Sequence, residues 1–302
     1  MRAYLPDFTV IHTEDLQEAL DALAAGENLV PLAGGTDLMV YLDAGDLPPC
    51  TFLNLQEISD FRHAPLMDTS LTLYPLTTYR ETRVTAAIRQ KFPLLARAAR
   101  EVGALAIQSR GTWAGNIANA SPAADGVPAL MAYDAEVELS SKGRRRSVLL
   151  SRFYTGYKRM DRRPDELITA IRLPAPPPGY FEYYCKVGTR RFQAISKTLL
   201  AGRILLGTDR RVKDIRMALA SVAPYTLRAI QTERVLQGRE LTRDVIEEAA
   251  HAIQDEIKPI DDIRSTEVYR RRVTRNLVRD FLSSAIETPS TPEGPSEHSG
   301  TS

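Results

Sequence analysis

Two stretches of small and polar residues carry the chain's candidate chemistry. The first is Leu32, Ala33, Gly34, Gly35, Thr36, Asp37 and Leu38. An apolar strand signal at Leu29 to Leu32 runs into two glycines and then into a helix that Thr36 can cap. Glycines let the main chain approach an anion closely, and successive N–H groups in such a turn form a concave anion site. The helix start adds partial positive charge, so a pyrophosphate would sit well there. The same turn also serves as a plain tight connection, with Asp37 as an ordinary first-turn carboxylate. Neither a GxGxxG pattern nor a Walker lysine accompanies it, so Rossmann and P-loop readings lack their fingerprints.

The second stretch covers residues 108–125 and includes Gly111, Thr112, Trp113, Ala114, Gly115, Asn116, Asn119, Ser121 and Asp125. It reads as a long loop between a helix and the apolar segment Val127 to Tyr133. So polar a loop must satisfy many backbone groups, either internally or through a ligand rich in donors and acceptors. Its amides and hydroxyls suit phosphate oxygens, ribose hydroxyls and a flavin ring edge, and Asp125 suits ribose hydroxyls. A self-bonded run of turns is the other reading. Trp113, the only tryptophan, reads as a core side chain, with packing near a ligand as the alternative.

The elements that must position these stretches alternate through the first half. A helix with Leu16, Ala19, Leu20 and Leu23 on one face is expected, capped by Thr13 and closed by Gly26. Further strands are expected at Thr51 to Leu55, Leu71 to Tyr74 and Leu167 to Leu173, and a helix at Pro93 to Glu101 closed by Gly103. Glu136 to Leu139 and Ser147 to Leu150 are expected to pair across a loop that holds Arg144, Arg145 and Arg146. The proline-rich run at 174–179 marks the clearest internal boundary. Beyond it, strands at Phe181 to Lys186, Thr198 to Leu205 and Ile215 to Val222 precede three helices, Leu227 to Leu236, Thr242 to Ile257 and Thr266 to Leu282. In the last, Tyr269, Val273, Leu277 and Phe281 form an apolar stripe, with Arg270, Arg271, Arg272 and Arg275 as its solvated side. Residues 286–302 contain almost nothing to bury and read as a disordered tail.

The two stretches together resemble the flavin signature of the molybdenum hydroxylase FAD subunits, a family that includes xanthine dehydrogenase flavin subunits and the carbon monoxide dehydrogenase medium subunit. Three more segments match in order. Residues 166–174 resemble the strand that ends the FAD domain, 186–197 the start of the family's C-terminal flavoprotein domain, and 263–273 that domain's last helix. The resemblance implies an α+β chain: an FAD-binding domain of the vanillyl-alcohol-oxidase (PCMH) type over 1–175, made of two α/β subdomains that grip the cofactor, and a C-terminal α+β domain over 176–285 with a three-stranded sheet and helices. It implies that Leu32 to Leu38 hold the FAD pyrophosphate through main-chain N–H groups. Thr112 to Asn116, with Asn119 and Asp125, would hold the rest of the diphosphate, the ribityl chain or the ribose, while Ile168 and Lys186 would line the flavin site. It also implies partners: a large molybdopterin-binding subunit and a small subunit with two [2Fe–2S] clusters, in a dimer of heterotrimers. In such complexes electrons pass from the clusters to FAD and on to an acceptor such as NAD or a quinone. The alternative is a stand-alone FAD-dependent oxidase or dehydrogenase of the same fold.

Departures from the family pattern are local. Ala114 stands where GlyGly is common, which is tolerable if its φ stays negative. Tyr74 and Pro75 precede Thr77 and Thr78, so these threonines are not taken as ligands. Arg190 and Arg191 follow Lys186 and read equally as flavin-stabilising cations or as surface residues. Cys50 and Cys185 are too few for a disulfide framework or an iron–sulfur cluster, and the four histidines show no metal-ligand spacing. The net charge of +1 gives no nucleic-acid footprint. No run approaches a membrane span, and a cytoplasmic oxidoreductase subunit is expected.

Overall fold

The computed structural model describes residues 8–26, 28–190 and 193–287. Arg191 and the expected tail beyond Glu287 lie outside these residues. The described residues build three sheets that matter for the site, and a small hairpin.

The first sheet contains β1 (Thr9–His12), β2 (Leu29–Leu32) and β3 (Thr51–Asn54), which run parallel in the order β1-β3-β2. Parallel neighbours need crossovers, supplied here by α1 (Leu16–Ala24) and α2 (Leu38–Ala44). Helix α1 buries Ala19, Leu20 and Leu23 against Leu53 and Ile58. Its cap is Asp15 rather than Thr13. The Asp15 carboxylate accepts from the N–H groups of Gln17 and Glu18, where a negative group also meets the positive helix end. Helix α2 buries none of its residues, although five of its seven are Leu, Met, Val or Tyr.

The second sheet is antiparallel, in the order β4-β5-β10-β6-β7. Its first two strands are β4 (Leu66–Met67) and β5 (Ser70–Leu73). A layer of helices follows: α3 (Tyr79–Val84), α4 (Ala86–Lys91), α5 (Pro93–Glu101), α6 (Leu105–Arg110), α7 (Trp113–Asn119) and α8 (Val127–Ala132). The sheet is completed by β6 (Glu136–Ser141), β7 (Arg144–Leu149) and, after α9 (Leu150–Phe153) and the hairpin β8 (Tyr154–Gly156) and β9 (Arg159–Met160), by β10 (Leu167–Pro174). The β6–β7 turn is tighter than expected, because Ser141 pairs with Arg144 and the arginines lie within β7. The Arg146 guanidinium bridges Glu166 at 2.7 Å and Asp161 at 3.0 Å.

The third sheet is β11 (Phe181–Val187), β12 (Thr198–Leu206) and β13 (Val212–Ala220), with a two-residue fourth strand, β14 (Leu227–Arg228). Leu227 and Arg228 were expected to open a helix. They extend the sheet instead, and the helix α10 starts at Ile230 (Ile230–Leu236). Helices α11 (Arg243–Glu256) and α12 (Glu267–Glu287) cover one face of this sheet. Arg270 is not on the solvated side of α12. It is 4% exposed and donates to the carbonyl of Ser221 and, at 2.7 Å, to Asp262. Charge-assisted bonds of this kind allow a guanidinium to be buried beside Thr274, Leu277 and Phe281.

Helix α8 joins the second and third sheets into one core. All six of its residues are buried, and they share a hydrophobic cluster with Leu71 and Val137 on one side and with Leu199, Ala201, Ala218 and Ala220 on the other. Just past its C-terminus, Asp134 accepts from Arg216 at 2.7 Å and Arg228 at 2.6 Å.

Candidate functional site

The β2–α2 turn passes against the end of α6. A Cβ built on Gly34 would stand 1.9 Å from the carbonyl oxygen of Arg110 and 3.2 Å from the Cα of Gly111. A Cβ on Gly111 would in turn stand 3.3 Å from Oγ1 of Thr36. Residues 33–36 and 110–112, more than seventy positions apart, therefore lie in direct main-chain contact. Gly35 holds φ at +75°, a conformation that glycine adopts without steric cost. The Ala33 carbonyl is fixed by Nε2 of Gln56 at 2.6 Å, and the Gly35 carbonyl by the N–H of Met39 at 2.9 Å. Among the described residues, the N–H groups of Gly34, Gly35, Thr36 and Asp37 have no hydrogen-bond partner. Thr36 is not the cap. Helix α2 begins one residue later, with Asp37 at its N-cap position and no side-chain cap bond. The turn thus leaves a row of donors open at a helix start, which suits an anion.

Most of the second stretch is helical rather than a loop. Thr112 caps α7, its Oγ1 accepting from Gly115 N at 3.0 Å, and Trp113 and Ile117 fall on the same buried face. The helix closes at Ala120 with φ +48°. Ala114 and Gly115 both lie inside α7, so φ at Ala114 is negative, as the alanine requires. Replacing Thr112 by alanine removes the cap and is expected to cost about 1 kcal/mol, measurable as a fall in thermal or urea stability.

The candidate residues fall into two groups. One group faces the junction of the turns: Leu32, Ala33, Gly34, Gly35, Thr36, Asp37, Leu38, Thr112 and Gly115 are on or beside it. Asn116 and Asp125 lie deeper. A Cβ on Gly126 would stand 3.0 Å from Oδ1 of Asn116, and both this oxygen and Oδ1 of Asp125 are buried without a partner. Asn119 ends α7 and is half-buried. The other group belongs to the interior. Trp113 is 0% exposed, its Nε1 donates to Thr82 Oγ1 at 2.7 Å and its N–H to the Thr77 carbonyl at 3.2 Å. Ile168 is buried in β10 within the same core as α7.

Lys186 reaches this region from the third sheet. Its Nζ lies 2.7 Å from Oδ2 of Asp125 and donates to the Glu101 carbonyl at 2.9 Å. Tyr184, two residues earlier on β11, donates to the main-chain carbonyl of Asp125 at 3.0 Å. Burial pushes the Asp125 carboxyl up to about 6, against the opposing pull of Lys186. Residue spacing alone does not reveal Gly126 or Tyr79, which shape the same region with Gly111. The one local signal was the ThrxxGlu capping box at Thr78 and Glu81, which fixes the start of α3.

The donor set fits a dinucleotide. Free main-chain amides suit phosphates, the unpartnered buried oxygens of Asn116 and Asp125 suit hydroxyls, and Gly34 lets the first turn lie directly against Arg110 and Gly111. Among the described residues, no group of acids, cysteines and histidines could hold a metal ion, and no helix is long and apolar enough to cross a membrane.

Residues 6–176 match the family model described as the FAD binding domain in molybdopterin dehydrogenase, and residues 183–285 match the CO dehydrogenase flavoprotein C-terminal domain. The chain is 32% identical over 275 residues to the glyceraldehyde dehydrogenase medium chain of Sulfolobus acidocaldarius, an alignment covering 91% of this chain and 96% of that one. It is 24% identical to the xanthine dehydrogenase FAD-binding subunit of Escherichia coli O157:H7, with 93% and 97% covered. Its fold superposes on a chain of the carbon monoxide dehydrogenase of Hydrogenophaga pseudoflava with a TM-score of 0.89 at 25% identity, covering 93% of this chain and 98% of that one. The α+β architecture and the paired glycine turns thus have one explanation: the chain belongs to the family of FAD-binding domains in molybdopterin dehydrogenases, as the FAD-binding subunit of a molybdenum-hydroxylase-type oxidoreductase.

Proposed function

We propose that the chain is the electron-transfer subunit of its complex. It holds FAD so that electrons from the [2Fe–2S] clusters of a small partner subunit reach an acceptor such as NAD or a quinone. A large molybdopterin-binding subunit would oxidise the substrate, and the assembly would be a dimer of heterotrimers in the cytoplasm. Residues 1–175 would form the FAD-binding unit and 176–285 the flavoprotein C-terminal unit.

Bound FAD supplies the redox chemistry, and the protein supplies position and electrostatics. Gly34 to Asp37 would donate main-chain N–H groups to the diphosphate. Thr112, Gly115, Asn116, Asn119 and Asp125 would hold the rest of the diphosphate, the ribityl chain or the ribose. Ile168 would line the flavin from β10, and Lys186 would orient Asp125. Leu32, Ala33, Leu38, Trp113 and Ala114 would act through backbone placement and packing. The observation that carries this reading is the main-chain contact of Gly34 with Arg110 and Gly111, beside four N–H groups without a partner. The chain purified at neutral pH, extracted with acid and read by absorbance is expected to release FAD in about equimolar amount. A colourless chain that takes up no FAD on reconstitution would end the proposal.

A further inference from the structure

Tyr79 opens α3 and is 2% exposed, yet its hydroxyl has no hydrogen-bond partner among the described residues. Its position is tightly fixed. The ring lies 4.8 Å from that of Trp113, and the Tyr79 N–H donates to the Gly111 carbonyl at 3.3 Å. A Cβ on Gly111 or on Gly126 would stand 3.3 Å from opposite edges of the same ring, at Cε2 and Cε1. The ring is therefore wedged between a glycine that precedes Thr112 and one that follows Asp125. A methyl at either place would press on the ring, which would have to give by a few tenths of an ångström.

The hydroxyl, carried between Cε1 and Cε2, therefore lies between the main chain at Gly126 and that at Gly111, the glycine that Gly34 of the first turn approaches. Burial, and then the carboxylates of Asp37 on the first turn and Asp125 on the second, raise the phenol well above its usual range. The hydroxyl thus keeps its proton and can act as a donor. Neighbouring tyrosines are satisfied: Tyr154 donates to the Ile117 carbonyl at 3.1 Å and Tyr184 to the Asp125 carbonyl at 3.0 Å. A buried donor with no acceptor is costly, and an acceptor atom on a bound cofactor would meet it.

We infer that Tyr79 is a cofactor-binding residue whose hydroxyl donates to an acceptor oxygen on the diphosphate–ribityl chain of FAD. This rests on the reading that residues 33–37 and 112–125 close around that cofactor. Tyr79→Phe keeps the ring, its contact with Trp113 and its place between the glycines, and removes only the donor. Titrating FAD into the cofactor-stripped full chain and following flavin fluorescence, we expect about tenfold weaker binding for Tyr79→Phe, the size of one net hydrogen bond. The melting temperature of the FAD-free variant is expected to equal or exceed that of the wild type, because an unmet polar group has been removed from the core. Tyr154→Phe provides the contrast: it loses an internal hydrogen bond, so its melting temperature falls while its affinity for FAD holds. Wild-type affinity in Tyr79→Phe would overturn the inference. So would a fall in FAD-free stability matching that of Tyr154→Phe, which would mark Tyr79 as structural. A wild-type chain that binds no FAD would instead overturn the underlying site and Tyr79 with it.

Discussion

Gly34→Ala is expected to leave the chain folded but essentially free of FAD. The added methyl would stand 1.9 Å from the Arg110 carbonyl oxygen. Neither side of that contact is a flexible side-chain tip, so relief requires the β2–α2 turn and the end of α6 to separate. Overpacking against rigid neighbours costs about 1–3 kcal/mol, occasionally more, and here the strain falls on the geometry that aligns the open N–H groups. A loss of FAD affinity of roughly 100-fold follows from the upper part of that range. The ratio of flavin to protein after gel filtration measures it. Full occupancy in Gly34→Ala would mean that the two turns do not share a ligand. Gly35→Ala tests a different property, because its Cβ meets only side-chain atoms at 3.5 Å and 3.9 Å, and the obstacle is φ at +75°.

Lys186→Met is expected to be the most destabilising change outside the turns, and its effect should depend on pH. The lysine and Asp125 side chains are 5% and 13% exposed, so the variant leaves a buried carboxyl without its cation. Breaking a buried pair in this way costs about 3–5 kcal/mol. Protonation offers Asp125 an escape. Its folded pKa is raised from 3.8 to about 6 by burial, with Lys186 opposing. A raised pKa means that the folded state holds the proton more tightly than the unfolded state. The contribution of this group to stability is therefore present below about pH 4 and lost as pH rises through about 6. Without Lys186 the carboxyl holds its proton to still higher pH. Urea denaturation should accordingly show the full deficit at pH 7.5 and a smaller one at pH 5. Equal deficits at the two values would show that the lysine acts only through its bond to Glu101 or through packing.

Local chemistry made much of the framework legible. The helix Pro93 to Glu101 has proline at its first position and Gly103, at φ +52°, just past its end, and the structure places α5 on those same residues. The strand–GlyGly–helix turn at 32–38 was readable because nothing but a tight turn fits two glycines between such periodic segments. The segment 112–119 was harder. Gly115, Asn116 and Asn119 are weak helix formers, and they masked a capping threonine and the four-residue spacing of Trp113 and Ile117. Arg270 misled for another reason: its helix pattern placed it with charged neighbours, and only the fold brings Asp262 and the Ser221 carbonyl to its guanidinium. The contact of Gly34 with Arg110 is a tertiary fact that no window of sequence contains, as is the arrival of Lys186 at Asp125.

The way α8 is held has a consequence for any attempt to exchange parts between relatives. Both of its faces are covered, Asp134 beyond it is clamped by Arg216 and Arg228, and the N–H of Ser221, just past β13, donates to the Pro122 carbonyl at 2.7 Å, three residues before Asp125. The part of the chain beyond the proline-rich run thus packs on α8 and, through Tyr184 and Lys186, on Asp125, rather than hanging as an appendage. A chimera joined at the proline-rich run must import Lys186, Arg216, Ser221 and Arg228 as a matched set, and a fragment ending there would bare the apolar side of α8 to water.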